Sequence, residues 1–589
     1  MIETEVLIVG SGPAGASAAL FLSRYGISST VVTKYRWLAD TPRAHIMNQR
    51  TMEILQDAGV AQEAMRDAVP NHLIGNSILC ESLVGREIGR IKSWGAAPER
   101  LSEYRLNSPF EICDIPQNYL EPILIANAAK DGAQIKFSTE FLSLTQDDQG
   151  VTAQVRDRIT GNQYPIRAKY LIGADGGRSR VASAIDLPMQ GEMGLAGSVN
   201  ILFKADLSPY VAHRPSALFW MLNPEARIGG LGVGLLRMVR PWNEWLCVWS
   251  YDISQPAPQL NEQDAVEIVH KILGITDVAI DITSISTWTV NKAYASHYSA
   301  GRVFCAGDSV HRHPPNNGLG SNTSIQDAYN LAWKLAYVIK GISAPSLLDT
   351  YSPERAPVGK EIVTRAIKSI GETKALLSVF EPDGESGALD LNVLFEDGVS
   401  GAPARNQLAQ AIARKNYEFN CLGVEANILY NSSAVIGAMA NFEPEDEINA
   451  AFHSRIVAGA RFPHAWVTRK GIEISTLELL GKGKFTLIAG CLGDAWISAA
   501  KRFAAAHGIP LATWKIGAQA DVQDIYFDLH NRIGFTDSSV ALIRPDGHVA
   551  WAGTQEGNPA HTFEGVFSLV LHLPHLHLKG ATHQQKELA

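Results

Sequence analysis

Short apolar runs followed by glycine-rich turns dominate the first part of the chain. Residues 6–9 read VLIV and residues 170–172 read YLI, and such runs are typical of parallel strands that are covered on both faces. Residues 16–25 carry apolar positions suited to a helix, and residues 30–32 form a further apolar run. This order of strand, helix and strand predicts an α/β domain.

The turn after the first strand has the spacing of a dinucleotide-binding loop. Its sequence, GSGPAG, forms a GxGxxG pattern between a buried strand and a helix. The first glycine allows the tight turn, the second lets a diphosphate approach the backbone, and the third lets the helix pack on the strand. We expect the diphosphate to lie at the helix N-terminus, against Gly10, Gly12, Pro13, Ala14 and Gly15.

The end of the second strand departs from the dinucleotide-binding pattern. An acidic residue that binds the adenosine ribose is expected there, but the chain has Thr33 and Lys34. Lys34, Arg36 and Arg43 instead keep positive charge near the expected position of the phosphates. Lys34 is therefore a candidate cofactor-binding residue, and the ribose contact stays open.

The middle of the chain alternates apolar and polar positions with the period of a strand. Residues 199–203, 217–222 and 245–251 show this alternation, which predicts an antiparallel sheet. Successive side chains of a strand point to opposite faces, so Trp220 and Met221 are expected on different sides. Trp220 is a candidate wall for a flat aromatic ligand, although residues of this type are also typical of a sheet core.

Composition narrows the classes of function. The 589 residues carry a formal net charge of -9, which argues against nucleic acid and anionic membranes as partners and favours small molecules. The acidic start MIETE and the lack of an apolar run of about 18 residues predict a cytoplasmic protein without a membrane span. Six cysteines are scattered, and His311 and His313 have no nearby third ligand, so we expect reduced thiols and no metal.

Two further turns contain an aspartate after an apolar run. Asp175 lies in YLIGADGG and Asp308 in RVFCAGDS. With the GxGxxG turn, and in the same order over about residues 1–370, they resemble the motifs of the class A flavoprotein monooxygenases. The resemblance implies a Rossmann-like FAD-binding domain of the para-hydroxybenzoate hydroxylase type, interleaved with the antiparallel substrate domain. It implies that Asp308 holds the ribityl chain of the flavin and that the turn of Asp175 serves the flavin site and the nicotinamide cofactor.

The resemblance also implies a reaction and its partners. NADH or NADPH would reduce the flavin without a nucleotide-binding domain of its own, and O2 would add to the reduced flavin as a C4a-hydroperoxide. The terminal oxygen would then pass to an activated aromatic ring. The expected partners are a small aromatic substrate and O2, and the expected assembly is a homo-oligomer, a dimer or a tetramer.

The segment after Asp308 has to cross the flavin ring before the next helix. Pro314 and Pro315 predict a stiff loop, with Pro314 at the substrate and Pro315 at the cofactor. Gly318 and Gly320 let backbone amides approach the ring edge.

The helix that follows is expected to begin at residues 321–324, with Thr323 and Gln326 at capping-box spacing. Its first amides, at Ser321 and Asn322, would stabilise the negative charge of the reduced flavin.

A phenol reacts with electrophilic oxygen far better as phenolate, so the site needs a base. His45 in TPRAHI and Asp114 in CDIPQ are candidates, and the residues alone do not choose between them. The segments TPRAHIMNQRTMEIL, CDIPQNYLEPIL, GLLRMVRPWNEW and HRHPPNNGLGSNTSIQD resemble the phenol-hydroxylating branch of the family. This implies that His45 takes the phenolic proton, that Asp114 orients or relays it, and that Arg43 and Gln117 contact the cofactor. Arg237 in LLRMVRP is expected to face the flavin and to bind the substrate.

Beyond about residue 370 the pattern changes to loops, a helix expected at residues 404–417, and then strand, helix, strand and hairpin. The last part resembles the thioredoxin-like tail of phenol hydroxylases. The redox CxxC motif is replaced by CLGD at residues 491–494, and one thiol cannot cycle as an internal disulfide. A structural or interface role is expected for this tail.

These motifs predict the domain boundaries and the function. The predicted function is ortho-hydroxylation of a substituted phenol to a catechol; the alternatives are a hydroxylase of a larger polycyclic or antibiotic scaffold and a flavin-binding regulatory protein without turnover. The predicted domains are an FAD-binding domain at 1–75, 106–185 and 291–370, a substrate domain at 76–105 and 186–290, a linker with a helix at 371–440, a thioredoxin-like domain at 441–578 and a flexible tail at 579–589.

Overall fold

The computed structural model describes residues 2–222, 234–380, 390–396, 399–437, 454–554 and 558–573, which fold around three large sheets. The strands are β1 Ile2–Val9, β2 Ser29–Val32, β3 Ile46–Met47, β4 Asn76–Cys80, β5 Glu87–Lys92, β6 Cys113–Asp114, β7 Gln134–Lys136, β8 Thr139–Asp147, β9 Gly150–Asp157, β10 Gln163–Gly173, β11 Met189–Lys204, β12 Leu218–Met221, β13 Gly234–Arg240, β14 Glu244–Tyr251, β15 Asp281–Ala295, β16 Ser299–Ala300, β17 Val303–Cys305, β18 His311–Arg312, β19 Trp466–Arg469, β20 Ile472–Ser475, β21 Phe485–Ala489, β22 Leu511–Lys515, β23 Ser539–Ile543 and β24 Val549–Thr554.

Helices cover these sheets and link them. The helices are α1 Pro13–Arg24, α2 Gln49–Asp57, α3 Ala61–Asp67, α4 Asn71–Ile74, α5 Pro98–Asn107, α6 Gln117–Lys130, α7 Arg180–Ala184, α8 Ser208–Val211, α9 Glu262–Leu273, α10 Gly320–Ile339, α11 Tyr351–Leu377, α12 Ala402–Phe419, α13 Leu422–Ala426, α14 Asp494–Ala506 and α15 Pro559–Val570.

The first sheet has a parallel centre in the order β17-β10-β1-β2-β7. The predicted strand at residues 6–9 is its middle strand and is buried on both faces, as its unbroken apolar run requires. Helix α1 packs between this sheet and the helices α6 and α10. It begins three residues earlier than expected, because Pro13 is well tolerated in the first turn of a helix.

The second sheet is the predicted antiparallel one, in the order β18-β15-β11-β14-β13-β12-β4-β5, except that β12 and β4 pair in parallel. Apolar side chains of α9 cover one face. Helix α12 lies over the other face at β5, where a Cβ on Gly89 would be 2.7 Å from Ile412 Cδ1. This helix extends two residues beyond the expected 404–417 at each end and joins the core of the second sheet.

The third sheet has the order β22-β21-β23-β24, with α14 between its two parallel strands and α15 after its hairpin. This is the arrangement expected of the thioredoxin-like tail. Phe485 of β21 stacks edge-on against Trp333 and Tyr337 of α10, so this domain shares a hydrophobic core with the first sheet.

The start of α10 differs from the predicted capping box. The helix begins at Gly320, and no side chain caps it. Asn317 and Gly318, both with positive φ, already turn the chain before the expected cap, so the helix forms earlier. Thr323 therefore lies inside the helix, and its amide donates to Leu319 O at 2.9 Å.

The six cysteines are free thiols, and only Cys491 is not fully buried. It lies in the turn between β21 and α14, which is the expected place of the redox motif, with its Sγ 3.8 Å from Ile516 O. Within the described ranges, no helix combines the length and the apolar composition needed to cross a bilayer.

Replacing Cys491 with serine should leave the melting temperature unaffected by oxidised glutathione and should leave catalytic turnover almost unchanged, because Cys491 has no partner thiol. The measurement is thermal unfolding with and without oxidant, followed by a turnover assay. Cys305→Ser in the buried β17 is the control and should lower stability instead. A loss of turnover above about tenfold in folded Cys491→Ser would contradict the structural role.

Candidate active site

The turns that carry the predicted dinucleotide contacts lie at one edge of the first sheet. The GxGxxG turn follows β1, the Asp175 turn follows β10, and the turn of Gly307 and Asp308 follows β17; these strands are parallel neighbours, and parallel strands end at the same edge. Two of the turns pack directly on each other, since a Cβ on Gly10 (φ +107°) would lie 2.1 Å from Ala174 O. Gly10 must therefore be glycine.

Gly12 is different, because the neighbouring protein atoms leave room for a side chain at this position. A Cβ there would meet a single atom, Glu121 Oε1, at 3.9 Å. Pro13 and Ala14 begin α1 directly behind it, and no side chain caps that helix. The free space and the uncapped helix N-terminus fit the diphosphate of FAD. Gly15 has the packing role, since its Cβ would lie 2.0 Å from Gly10 O.

Asp175 and Asp308, the two aspartates predicted to serve the flavin, have different environments. The carboxylate of Asp175 caps α7, accepting from Arg180 N at 2.7 Å and from Ser179 Oγ at 2.5 Å. Asp308 is exposed, and its carboxylate accepts no hydrogen bond from the part of the chain that the structure describes. Asp308 is thus the aspartate that is free to bind a hydroxylated chain such as ribityl. Lys34 is exposed at the end of β2.

The first turn of α10 and the loop before it contact the segment that carries His45. Asn322 Nδ2 donates to Ile46 O at 2.8 Å, and its Oδ1 accepts from Asn48 N at 3.0 Å. A Cβ on Gly318 (φ +63°) would lie 3.1 Å from Ile46 Cβ, so the two segments touch there. The other predicted loop residues lie beside this contact: Pro314 is buried, Pro315 is exposed, Gly320 begins α10, and the Ser321 hydroxyl is buried without a partner in the described residues.

The structure brings the two candidate bases together. His45 precedes β3 and Asp114 ends β6, and these short strands pair so that Ile46 lies opposite Asp114. His45 Nδ1 lies 2.6 Å from Asp114 Oδ2. The Asp114 side chain is fully buried, whereas the His45 side chain keeps 15% of its exposure. The imidazole therefore stands between a buried carboxylate and an open space.

Burial and the neighbouring charges of Arg237 and Asp114 determine the pKa of His45. Burial lowers the pKa of His45 below 6.5, Arg237 lowers it further, and Asp114 opposes both. Burial also lowers the pKa of Arg237 to about 10, so the guanidinium stays charged at neutral pH. Arg237 Nη1 donates to Arg43 O at 2.6 Å, while its Nε and Nη2, like Asp114 Oδ1, are buried without a partner in the described residues. These atoms are available to a ligand.

Arg43 and Gln117 flank this pair on the side of the first sheet. Arg43 adopts φ +29° and is exposed, and its carbonyl anchors Arg237. Gln117 N donates to Ala44 O at 2.9 Å, and its Nε2 donates to Glu121 Oε1 at 2.5 Å. Glu121 was missed in the sequence, although its four-residue spacing from Gln117 on α6 could have indicated the contact.

Trp220 lies on the same face of the second sheet as Arg237. Arg237 pairs with Leu218, two residues before Trp220 on β12, and residues two apart share a face. Trp220 Nε1 donates to Ser77 Oγ at 2.9 Å, and Lys415 Nζ lies 4.8 Å above its ring. Trp220 is therefore held in place at the side of the sheet that faces Asp114, while Met221 is buried on the opposite face.

Asp327 on α10 was missed as well. Its Oδ2 accepts from Gly307 N at 3.0 Å and lies 2.9 Å from His311 Nε2, so it fixes the turn that presents Asp308. The other loop histidine, His313, contacts Pro314 O through Nδ1. Among the described residues, no three potential ligands form a metal-binding cluster.

Comparisons with known proteins cover nearly the whole chain. Residues 3–366 match the model of an FAD binding domain, and residues 455–574 match that of an aromatic-ring hydroxylase C-terminal domain. The chain is 48% identical to 2,4-dichlorophenol 6-monooxygenase of Delftia acidovorans, covering 95% of this chain and 96% of the relative. It is 48% identical to phenol 2-monooxygenase of Pseudomonas sp. (strain EST1001), covering 94% and 90%.

Two solved structures have the same overall fold. The flavin-dependent monooxygenase PieE, in complex with FAD and substrate, is 38% identical with a TM-score of 0.92, covering 97% of this chain and 100% of that one. Aklavinone-11 hydroxylase, in a ternary complex with FAD and aklavinone, is 30% identical with a TM-score of 0.79, covering 97% and 99%.

Replacing Arg237 with glutamine should raise the pKa of His45, because a nearby positive charge is removed while Asp114 remains. Titration of ring-labelled histidine by NMR measures this directly. Arg240→Gln, on the same strand but stacked on Tyr119, is the control and should leave the pKa of His45 in place. An unchanged value in Arg237→Gln would show that burial alone sets the charge of the imidazole.

Proposed function

The chain belongs to the family of FAD-binding aromatic-ring hydroxylases, and from this premise we propose that it hydroxylates a substituted phenol at the ortho position to a catechol, using FAD, NADH or NADPH, and O2. The observation that carries the proposal is the hydrogen bond between His45 Nδ1 and Asp114 Oδ2. It joins a neutral base to a buried carboxylate, which is the arrangement needed to convert a phenol into phenolate.

The residues at the sheet edge fit FAD. When bound, FAD accepts a hydride from the nicotinamide and activates O2 for transfer to an aromatic ring. The residues proposed to hold it are Gly10, Gly12, Pro13, Ala14 and Gly15 at the diphosphate, Lys34, Arg43, Gln117, Asp175 and Asp308 along the rest of the dinucleotide, and Pro315, Gly318, Gly320, Ser321 and Asn322 at the ring.

His45 is the proposed general base. Its Nδ1 is engaged by Asp114, so its Nε2 is the nitrogen that accepts the phenolic proton. Asp114 then stabilises the imidazolium and keeps the ring oriented. Burial and, after it, Arg237 keep the imidazole neutral before the reaction, and the unpartnered Nε and Nη2 of Arg237 stabilise the phenolate oxygen once the proton has left.

The second sheet supplies the proposed substrate wall. Trp220 presents its ring on the face that carries Arg237, and the buried Pro314 is proposed as a second apolar contact for the substrate. Flat apolar surfaces around a small group of convergent polar atoms suit an aromatic ring with one hydroxyl.

A hydroxylase of a larger polycyclic scaffold is the second candidate, favoured by the structural likeness to aklavinone-11 hydroxylase. The higher identity to the phenol and dichlorophenol enzymes favours a single ring. A flavin-binding protein without turnover is disfavoured, because it would not need the base at His45. The choice of nicotinamide, a homodimer or homotetramer, a cytoplasmic location and the domain boundaries given above stay predictions.

A substrate panel tests the function. The purified protein should be yellow with one non-covalent FAD per chain, and substituted phenols should consume NAD(P)H and O2 in equal amounts while forming catechols. We expect kcat/KM for single-ring phenols to exceed that for polycyclic phenols by at least about tenfold, given pocket discrimination of 1–3 kcal/mol. The reverse preference would favour the second candidate, and a colourless protein that cannot be reconstituted with FAD would refute the family's chemistry here.

Replacing His45 with alanine should slow hydroxylation by roughly 100-fold or more, the range of positioned proton transfer, while FAD stays bound. NAD(P)H oxidation should suffer less, so more peroxide should appear per nicotinamide consumed. Raising the pH towards the pKa of the phenol should partly restore catechol formation, because solvent then supplies the phenolate. The exposed His297→Ala is the control. Equal coupling in His45→Ala and the unaltered enzyme at neutral pH would remove His45 from the mechanism and leave Asp114, or a water-mediated relay, as the next candidate.

A further inference from the structure

A turn of the C-terminal domain packs against the helices α10 and α11 of the FAD-binding domain. Residues 544–548 connect β23 to β24, and Arg544 at its start is fully buried. Its guanidinium forms a bidentate pair with Glu354 of α11, at 2.6 Å and 2.8 Å. Asp546 of the same turn also binds Arg544 and accepts from Trp333 Nε1 of α10 at 3.1 Å. The turn is thus locked to two helices of the other domain.

Arg355, the next residue of α11, binds Asp327, which holds the turn of Gly307 and Asp308. Arg355 Nε donates to Asp327 Oδ1 at 2.7 Å, and its Nη1 donates to the Tyr430 hydroxyl at 3.2 Å. The Tyr430 ring stacks on His548, with 4.0 Å between centroids and 22° between planes. Adjacent residues of one helix therefore bind the C-terminal turn on one side and the anchor of the flavin turn on the other.

Asp327 completes the connection. Its Oδ2 accepts from Gly307 N at 3.0 Å, and Gly307 is followed by Asp308, the aspartate with a free carboxylate. The carboxylate of Asp327 is fully buried and receives donors from Arg355, Gly307 and His311. A shift of Arg355 would therefore move the backbone that presents Asp308.

The charges in this network balance. Three cations, Arg544, Lys334 and Arg355, pair with three carboxylates, Glu354, Asp546 and Asp327, and all six are at most 1% exposed. Burial would raise the pKa of Glu354, but Arg544 and Lys334 lower it well below its usual range. Buried ion pairs add little net stability compared with apolar packing, but they fix geometry, because each member is costly to leave without its partner.

We propose that the C-terminal domain positions the flavin through Tyr430 of the linker: His548 of the 544–548 turn packs on the Tyr430 ring, the Tyr430 hydroxyl binds Arg355, and Arg355 binds Asp327, which holds the backbone of Gly307 and thereby Asp308. The inference rests on the proposed function for the location of FAD. Tyr430 and Arg355 are positioning residues, since each acts on the flavin turn through another residue, Tyr430 through Arg355 and Arg355 through Asp327. The domain without a redox motif thus contributes to catalysis through the geometry of the cofactor site.

Tyr430→Phe tests the proposal with the smallest change. It removes the hydroxyl that Arg355 binds and keeps the ring that stacks on His548. We expect the Kd for FAD, measured by flavin fluorescence, to rise roughly tenfold, the size of a lost hydrogen bond to a charged group. Hydrogen exchange at the amide of Gly307 should be faster, and the flavin midpoint potential should shift.

Tyr329→Phe is the matched control. The Tyr329 hydroxyl also joins the two domains, with its oxygen 2.9 Å from Asp57 Oδ2 and 3.1 Å from Pro545 O, and within the described residues it forms no hydrogen bond with Arg355 or Asp327. It should lower the melting temperature about as much as Tyr430→Phe while changing the Kd for FAD less than about twofold.

The outcomes separate the two proposals. A tenfold weaker Kd in Tyr430→Phe alone supports positioning by the C-terminal domain. Equal Kd values in both variants, or a weakening that follows the loss of melting temperature in both, would overturn it. An unaltered protein that binds no FAD would instead overturn the proposed function, whatever the variants do.

Discussion

The structure depends on the burial of charged groups whose partners all lie inside the protein. Glu354 receives the guanidinium of Arg544 and the ammonium of Lys334 in a region without solvent access. An isolated charge could not stay there, because the desolvation cost of several kcal/mol would neutralise it or expel it. The position of α10, α11 and the C-terminal domain is therefore specified by pairing, whereas apolar packing alone would tolerate several arrangements.

The candidate active site uses the same physics with the pairing left incomplete. Asp114 and Arg237 are buried, yet Asp114 Oδ1 and two guanidinium nitrogens lack partners in the described residues. In the network behind α10 each buried charge has an opposite charge beside it, whereas the group around His45 keeps charged atoms without a partner in the described residues. Buried polar atoms without partners raise the free energy of the ligand-free protein. A polar ligand atom that pairs with them lowers it again, so the site favours a phenolic oxygen over a plain hydrocarbon.

Local patterns in the sequence predicted the fold, whereas the roles of the site residues came from the family resemblance and stay predictions. The VLIV run, the glycine spacing and the alternation around Trp220 are short-range signals, because they follow from the periods of strands and turns. The start of α10 was wrong, since the turn made by Asn317 was not visible in a spacing rule. Asp327 and Tyr430 were missed because their partners lie far away in the chain, Tyr430 being 75 residues from Arg355.

Arg544 and Glu354 are separated by 190 residues in the chain, which affects how the protein folds during its synthesis. Domains usually fold as they leave the ribosome, at about 5–20 residues per second. Glu354 and Lys334 emerge roughly 10–40 s before their guanidinium partner at such speeds. Glu354 cannot form its buried ion pair with Arg544 before Arg544 emerges, so this chain is expected to complete its folding late in translation or after it.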